Sequence, residues 1–95
     1  DSNYYRAYND IGIIWEFRHN LKKAEEHYDK AISYNSEFPQ AISNKLWTMY
    51  KNGYGNQALK ESIEYSYKMP YMSSLRILEG NIYFEKGEKE GRLVV

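Results

Sequence analysis

The sequence predicts an all-α protein of five helices, and two observations carry that prediction. Apolar residues recur three or four positions apart over most of the chain, without the sustained alternation of apolar and polar residues that indicates strands. In addition, landmark residues repeat at intervals of 34 or twice 34 positions: Gly12 with Gly80, Trp15 with Met49 and Tyr83, Ala24 with Ala58, and Ser36 with Pro70. A fixed period of this size indicates a tandem array of helix pairs, and such arrays mostly bind other molecules.

The first helix pair is predicted within residues 4–34. Its first helix covers about 4–18 and has an apolar stripe made of Tyr4, Ala7, Tyr8, Ile11, Ile14 and Trp15. His19 and Asn20 interrupt this pattern, and the Asn20 side chain is a competent N-cap for a second helix. The buried stripe predicted for the second helix consists of Leu21, Ala24, Tyr28, Ala31 and Ile32.

The second helix pair is predicted to begin at Pro39, since proline is well tolerated in the first helical turn. The third helix then continues to about residue 51. In the following turn we expect Gly53 to take the left-handed C-cap conformation and Asn56 to cap the fourth helix. The fourth helix covers about 57–67 and ends before Pro70, because the residue that precedes a proline avoids helical geometry.

The fifth helix is predicted over about 75–86, with Ser73 or Ser74 as its cap and Gly87 as its end. Residues 88–92 are charged and contain a further glycine, so no partner helix is predicted for it. We therefore expect the chain to self-associate, or to have this flank covered by segments outside it.

The first copy of the repeat fits a known signature through Tyr8, Ile11, Gly12, Trp15, Ala24, Tyr28 and Ala31. On these residues the chain resembles the tetratricopeptide repeat family. The resemblance implies one domain over residues 1–95, folded as a right-handed superhelix, or solenoid, of tandem helix-turn-helix units. Its repeats would cover about 5–38 and 39–72, with a partial third repeat over about 73–91.

The later copies depart from this signature at core positions. Lys45, Leu46 and Ser62 stand where the second copy should have an aliphatic, a small and an aromatic residue, and Glu79 replaces the aliphatic residue of the third copy. We expect Gly12 and Gly80 at close helix crossings. Where Leu46 replaces the glycine, the third and fourth helices should be splayed, or Leu46 should fill the space beside Ser62.

Composition excludes several classes of partner. The 13 Lys and Arg residues are balanced by 13 Asp and Glu residues and form no basic stripe, so nucleic acid is not an expected partner. Membrane insertion is not predicted either, because no apolar run exceeds about four residues. We expect a cytoplasmic protein. Since the chain begins at Asp1 rather than Met, we interpret it as a processed product or a piece of a longer protein.

The residue pattern predicts no enzyme and no cofactor. Cysteine is absent, and the histidines, His19 and His27, lack the spacing of metal ligands. Residues 53–58 match a dinucleotide-binding fingerprint in form only, because a helical pattern precedes them and Ser73 occupies the place of the required acid. We therefore expect no catalytic residues and no metal site.

The resemblance also implies a binding groove on the first, third and fifth helices. Carried over by position, its principal residues are Asn9, Ile13, Phe17, Asn44, Trp47, Tyr50, Ile77, Asn81 and Phe84, and the surrounding face includes Arg6, Asp10, Ser43, Ser74 and Leu78. We expect Trp47 and Tyr50 at its centre, with Asn44 holding a peptide backbone. Some of these apolar residues could instead belong to the core.

Two functions remain open from the sequence. The first is a protein–protein interaction module that binds a peptide or a partner segment in the groove. The alternative is a structural or self-associating fragment of a longer tetratricopeptide solenoid, in which another chain covers the apolar flank of the fifth helix. The apolar groove residues favour the first function, and the missing partner helix favours the second.

Overall fold

The structure, a computed structural model, describes residues 4–89, with Lys89 described by its backbone alone. Five helices make up this part of the chain: α1 Tyr4–Phe17, α2 Leu21–Tyr34, α3 Pro39–Lys51, α4 Gly55–Lys68 and α5 Ser73–Lys89. The predicted all-α fold of five helices is confirmed. Each helix starts within a few residues of its predicted position, because the apolar spacing and the turn residues agree with each other.

The helices pack mainly against their neighbours in sequence. α2 contacts both α1 and α3, while α4 contacts both α3 and α5. Smaller contacts join α1 to α3 and α3 to α5, so the three odd-numbered helices form a row. The molecule is elongated, with extents of 49 × 30 × 16 Å, as expected when each element is covered only by its neighbours.

The α1–α2 pair is the most extensive helix contact in the structure, and Gly12 lies at its centre. A Cβ atom on Gly12 would lie 2.5 Å from Cε1 of Tyr28, whose side chain is fully buried. The phenolic hydroxyl of Tyr28 donates a hydrogen bond to Glu16. The predicted close crossing at Gly12 is therefore confirmed, and an aromatic ring of the facing helix fills the space that the glycine leaves.

The turns after α1 and α3 share one geometry, 34 positions apart. Gly53 has a φ of 92°, as predicted, and its equivalent His19 has a φ of 61°. In both turns the backbone N–H groups of this residue and of the next one donate hydrogen bonds to carbonyl oxygens near the end of the preceding helix. These carbonyl groups would otherwise lack a hydrogen-bond partner. Asn20 then caps α2, since its side chain accepts a hydrogen bond from the Lys23 amide. That cap was also predicted.

The α3–α4 pair makes a much smaller contact than α1–α2. Leu46 is fully buried in the main core, together with residues of α4, α5 and the loop between them. Lys45, one position before it, points its ammonium at Asp29 of α2 (2.7 Å) and Glu61 of α4 (3.5 Å). A cation on α3 thus links the two even-numbered helices.

The α4–α5 pair is held by a carboxylate that the sequence marked only as a departure from the repeat. Glu79 accepts hydrogen bonds from the hydroxyls of Ser62 (2.6 Å) and Ser66 (2.8 Å). Ser62 is fully buried, and its hydroxyl also lies 3.3 Å from the carbonyl oxygen of Leu75. The two departures at Ser62 and Glu79 therefore compensate each other, since a buried hydroxyl needs a partner.

Several detailed expectations are wrong. Asn56 does not cap α4, which begins one residue earlier at Gly55, and α5 begins at Ser73 and continues through Gly87. Gly80 does not lie at a helix crossing: it is exposed, and no atom of the described chain lies within 4 Å of where its Cβ would be. Leu78 belongs to the core rather than to the groove face. The predicted groove face of α5 therefore extended one residue too far, into the buried side of the helix at Leu78.

Lys45→Met should lower the free energy of unfolding by about 1 kcal/mol or less, because Asp29 is half exposed and regains water when the pair is lost. Burial alone would lower the pKa of Lys45, but the hydrogen bond to Asp29 and the charges of Asp29 and Glu61 raise it above its ordinary value. The stabilisation is therefore complete below the ordinary lysine pKa and is lost as the pH rises through the raised one.

Urea denaturation of both proteins at neutral and strongly alkaline pH measures this contribution. The difference between wild type and Lys45→Met should shrink at alkaline pH. A difference that is large and independent of pH would show that Lys45 acts through the packing of its stem instead.

Candidate functional site

Two adjoining cavities open on α1 and α3, and both are lined by Ile13 and Asn44. The first has a volume of about 480 Å³ and is further lined by Asn9, Pro39, Gln40, Ser43, Tyr71, Met72, Ser73 and Ser74. The second, of about 520 Å³, is further lined by Glu16, Phe17 and His19. We call the two together the α1–α3 groove. It extends from the end of α1 to the start of α5.

Polar side chains join the helices along the floor of this groove. Asn44 Nδ2 of α3 donates to Asn9 Oδ1 of α1 over 3.1 Å, and Asn9 is buried. Further along, the Ser43 hydroxyl of α3 donates to the Ser74 hydroxyl of α5 over 3.0 Å. These two hydrogen bonds fix α3 between its neighbours in the row, so the groove has a defined shape before any ligand binds.

The α1 end of the groove combines an exposed aromatic ring with a restrained carboxylate. Phe17 is 80% exposed, whereas Ile13, one turn earlier, is half-buried. Glu16 is held by the Tyr28 hydroxyl and by the Lys51 ammonium, whose Nζ lies 3.4 Å from Glu16 Oε2. Because this carboxylate is already paired within the protein, the groove presents an apolar end rather than a free negative charge.

The predicted site residues fall into three groups. Asn9, Ile13, Phe17 and Asn44 line the α1–α3 groove. Trp47 and Tyr50 are half-buried, pack against each other with ring centroids 6.0 Å apart, and also pack against the main core. Ile77, Asn81 and Phe84 are exposed on α5, and neither groove cavity includes them. The structure therefore brings four of the nine residues together in one groove.

Tyr50 lies at a separate and smaller cavity of about 190 Å³ between the turn after α3 and the second half of α5. Its hydroxyl donates a hydrogen bond to Glu85, and this bond raises the pKa of Tyr50 above its ordinary value, with burial and the Glu85 charge adding to the effect. Tyr50 thus links α3 to α5 as well as packing on Trp47. Its role as the centre of a binding site stays a prediction.

No protein-family model matches this sequence, and searches of curated proteins and of solved structures found no match either. Within residues 4–89, no three acidic, histidine or cysteine side chains are grouped so that they could hold a metal ion. In the same part of the chain, no helix combines the length and the apolar character needed to cross a membrane.

Some groove residues were missed by the sequence interpretation. Pro39, Gln40 and Tyr71 line the first cavity, although they lie at the start of α3 and in the α4–α5 turn rather than on a predicted helix face. Tyr71 is largely exposed. An exposed tyrosine directly after a proline in a turn was the available signal, but helical spacing does not show which surface a turn residue faces.

Proposed function

We propose that this protein is an interaction module that binds an extended segment of a partner protein in the α1–α3 groove. The observation that carries the proposal is the Asn9–Asn44 pair, which lies in the groove floor beside the apolar side chains of Ile13 and Phe17. The proposal assigns no catalytic role, because the groove residues are restrained by pairing and packing rather than arranged around a reactive group.

The asparagine pair has the hydrogen-bonding capacity that a peptide backbone requires. One hydrogen bond joins the two side chains, and within residues 4–89 they have no further partner. Asn44 Oδ1 therefore remains as an acceptor, and Asn9 Nδ2 as a donor. Since a peptide unit carries one N–H donor and one C=O acceptor, the pair is suited to hold one unit independently of the ligand's side chains.

The apolar end of the groove supports an anchor for a ligand side chain. Ile13 forms part of both cavities, and the ring of Phe17 projects into solvent beside it. Covering such an exposed ring with an apolar ligand side chain removes it from water without displacing anything in the free protein. We therefore expect the preferred ligands to have an aliphatic or aromatic residue next to the backbone unit that the asparagines hold.

The finer architecture that we propose is a tetratricopeptide-like right-handed superhelix. α2 and α4 begin 34 positions apart, as do the left-handed turn residues His19 and Gly53. The row of odd-numbered helices, each connected through one even-numbered helix, supports the same arrangement. In such an array the exposed side of that row is a natural place for an extended ligand.

A peptide-display selection tests the proposal. A library of random peptides is panned against the 95-residue chain, and the dissociation constants of the selected peptides are measured by fluorescence anisotropy. Phe17→Ala should weaken binding by about thirtyfold, or roughly 2 kcal/mol, because the ring is an exposed contact. The circular dichroism spectrum and the melting temperature should remain unchanged, since the ring is 80% exposed in the free protein.

Tyr67→Ala is the matched control, because Tyr67 is an aromatic residue that is 90% exposed on α4, outside both groove cavities. It should leave peptide affinity unchanged. Amide chemical shifts that move on α4 rather than on α1 and α3, or a library that yields no binding peptide, would contradict the proposal. Trp47 is less suitable for this test. Because it packs against the core, its substitution would lower stability as well as any binding, and the two effects could not be separated.

A further inference from the structure

α5 carries an exposed apolar stripe that no described part of the chain covers. Ile77, Tyr83 and Phe84 are 60%, 53% and 51% exposed, and Gly80 lies between them on the same side of the helix. The buried side of α5 is formed by other residues, among them Leu75, Leu78 and Ile82. α5 is therefore apolar on a second side, which is unusual for a helix that faces only water.

The first repeat shows what this stripe is suited to receive. Gly12 and Gly80 are related by twice the 34-residue interval, and the ring of Tyr28 occupies the space over Gly12. Over Gly80 the same space is open within residues 4–89. A glycine flanked by apolar side chains lets another helix approach closely, and an aromatic ring from that helix fills the resulting gap.

We propose that the missing ring comes from a second copy of this chain, so that α5 forms a symmetric homodimer. When two α5 helices lie antiparallel with Ile82 level with Ile82 of the other copy, Phe84 of each lies level with Gly80 of the other. The arrangement is self-complementary, because one helix supplies both the ring and the gap. An interface with twofold symmetry requires such self-complementarity, whereas an interface with an unrelated partner does not require it.

The charges on α5 favour self-pairing as well. On the same side of α5, Arg76 lies four positions before Gly80 and Glu88 lies four positions after Phe84. In the antiparallel arrangement Arg76 of each copy is level with Glu88 of the other, so two copies meet without repulsion between like charges. Neighbouring charged side chains are engaged elsewhere: Arg76 donates to the Pro70 carbonyl over 2.6 Å, Glu79 accepts from α4, and Glu85 accepts from Tyr50. Since one helix about 25 Å long buries less area than a standard interface, we expect a weak dimer that dissociates on dilution.

Sedimentation equilibrium of the 95-residue chain, from low micromolar to several hundred micromolar, tests this inference. We expect a monomer–dimer equilibrium. Phe84→Ala should raise the dimer dissociation constant by at least about tenfold, because it removes the ring that fills the gap. Gly80→Leu should do the same by closing the gap, while the dilute monomer stays fully helical because no atom of residues 4–89 lies within 4 Å of the added Cβ.

Phe17→Ala is the matched control, since it removes the same type of exposed ring from α1 and should leave the dimer intact. A chain that is monomeric over the whole concentration range overturns the inference. A dimer that is unaffected by Phe84→Ala and Gly80→Leu, or that is weakened equally by Phe17→Ala, overturns its placement on α5. Peptide binding in the α1–α3 groove is measured separately and depends on neither substitution in α5.

Discussion

Gly12→Val should lower the free energy of unfolding by about 2–4 kcal/mol, because a branched side chain at this position forces overpacking against the facing helix. The Cβ alone would lie 2.5 Å from Cε1 and 2.7 Å from Cδ1 of Tyr28. The ring is held in place, since its side chain is fully buried and its hydroxyl is bonded to Glu16. Urea denaturation followed by circular dichroism measures the loss.

Gly80→Val is the control for this prediction, because it makes the same substitution at the equivalent position of the repeat. The space around Gly80 is open in the described chain, so no overpacking results. At concentrations where the protein is monomeric, its free energy of unfolding should change by less than about 1 kcal/mol. Equal destabilisation by the two substitutions would show that the contact with Tyr28 does not determine the effect at Gly12.

The sequence predicted the first helix pair in more detail than the rest of the chain, because the signals there agree with one another. The Asn20 cap, the apolar stripe of α2 and the close approach at Gly12 were all predicted. The boundaries of α4 and α5 were less accurate, since several polar residues compete for the cap position. Asn56 and Ser73 both have the right chemistry for a cap, yet in the structure both lie inside a helix.

The polar residues at core positions were recognised as departures, but their function was not readable from the sequence. Lys45 pairs with Asp29 and Glu61, and Glu79 pairs with serines of α4, across helices whose separation in space depends on their packing. The spacing of apolar residues in a sequence shows which face of its own helix a residue occupies. It does not show which polar residue of another helix lies opposite. In the structure, Lys45 and Glu79 each have polar partners on other helices, so neither is a defect in the packing.

The predicted groove divided for a similar reason. A helical face about 100° wide includes both core-facing and groove-facing neighbours, so a shift of one residue exchanges them. Leu78 proved to be core while Ile77 is exposed, and Trp47 is shared between the core and the surface. Asn9 and Asn44 were placed correctly in the groove, whereas Asn81 lies outside it on the exposed side of α5.

Tyr28→Ser should lower the free energy of unfolding by about 3–5 kcal/mol, because it deletes the largest fully buried side chain among residues 4–88 and leaves a cavity beside Gly12. The second repeat suggests how that cavity can be filled, since it has Leu46 and Ser62 at the positions of Gly12 and Tyr28. Both of these residues are fully buried. We therefore expect Gly12→Leu, which is severely destabilising by itself, to be partly tolerated when Tyr28→Ser is also present.

A double-mutant cycle measures this coupling. The double variant should be more stable than the sum of the single effects predicts by about 1–3 kcal/mol, since the leucine occupies the space that the ring vacates. Gly80→Leu combined with Tyr28→Ser is the control, and its effects should add, because Gly80 and Tyr28 share no contact. If Gly12→Leu and Tyr28→Ser are additive as well, the glycine and the ring do not act as a unit, and the exchange of large and small residues between the repeats has another cause.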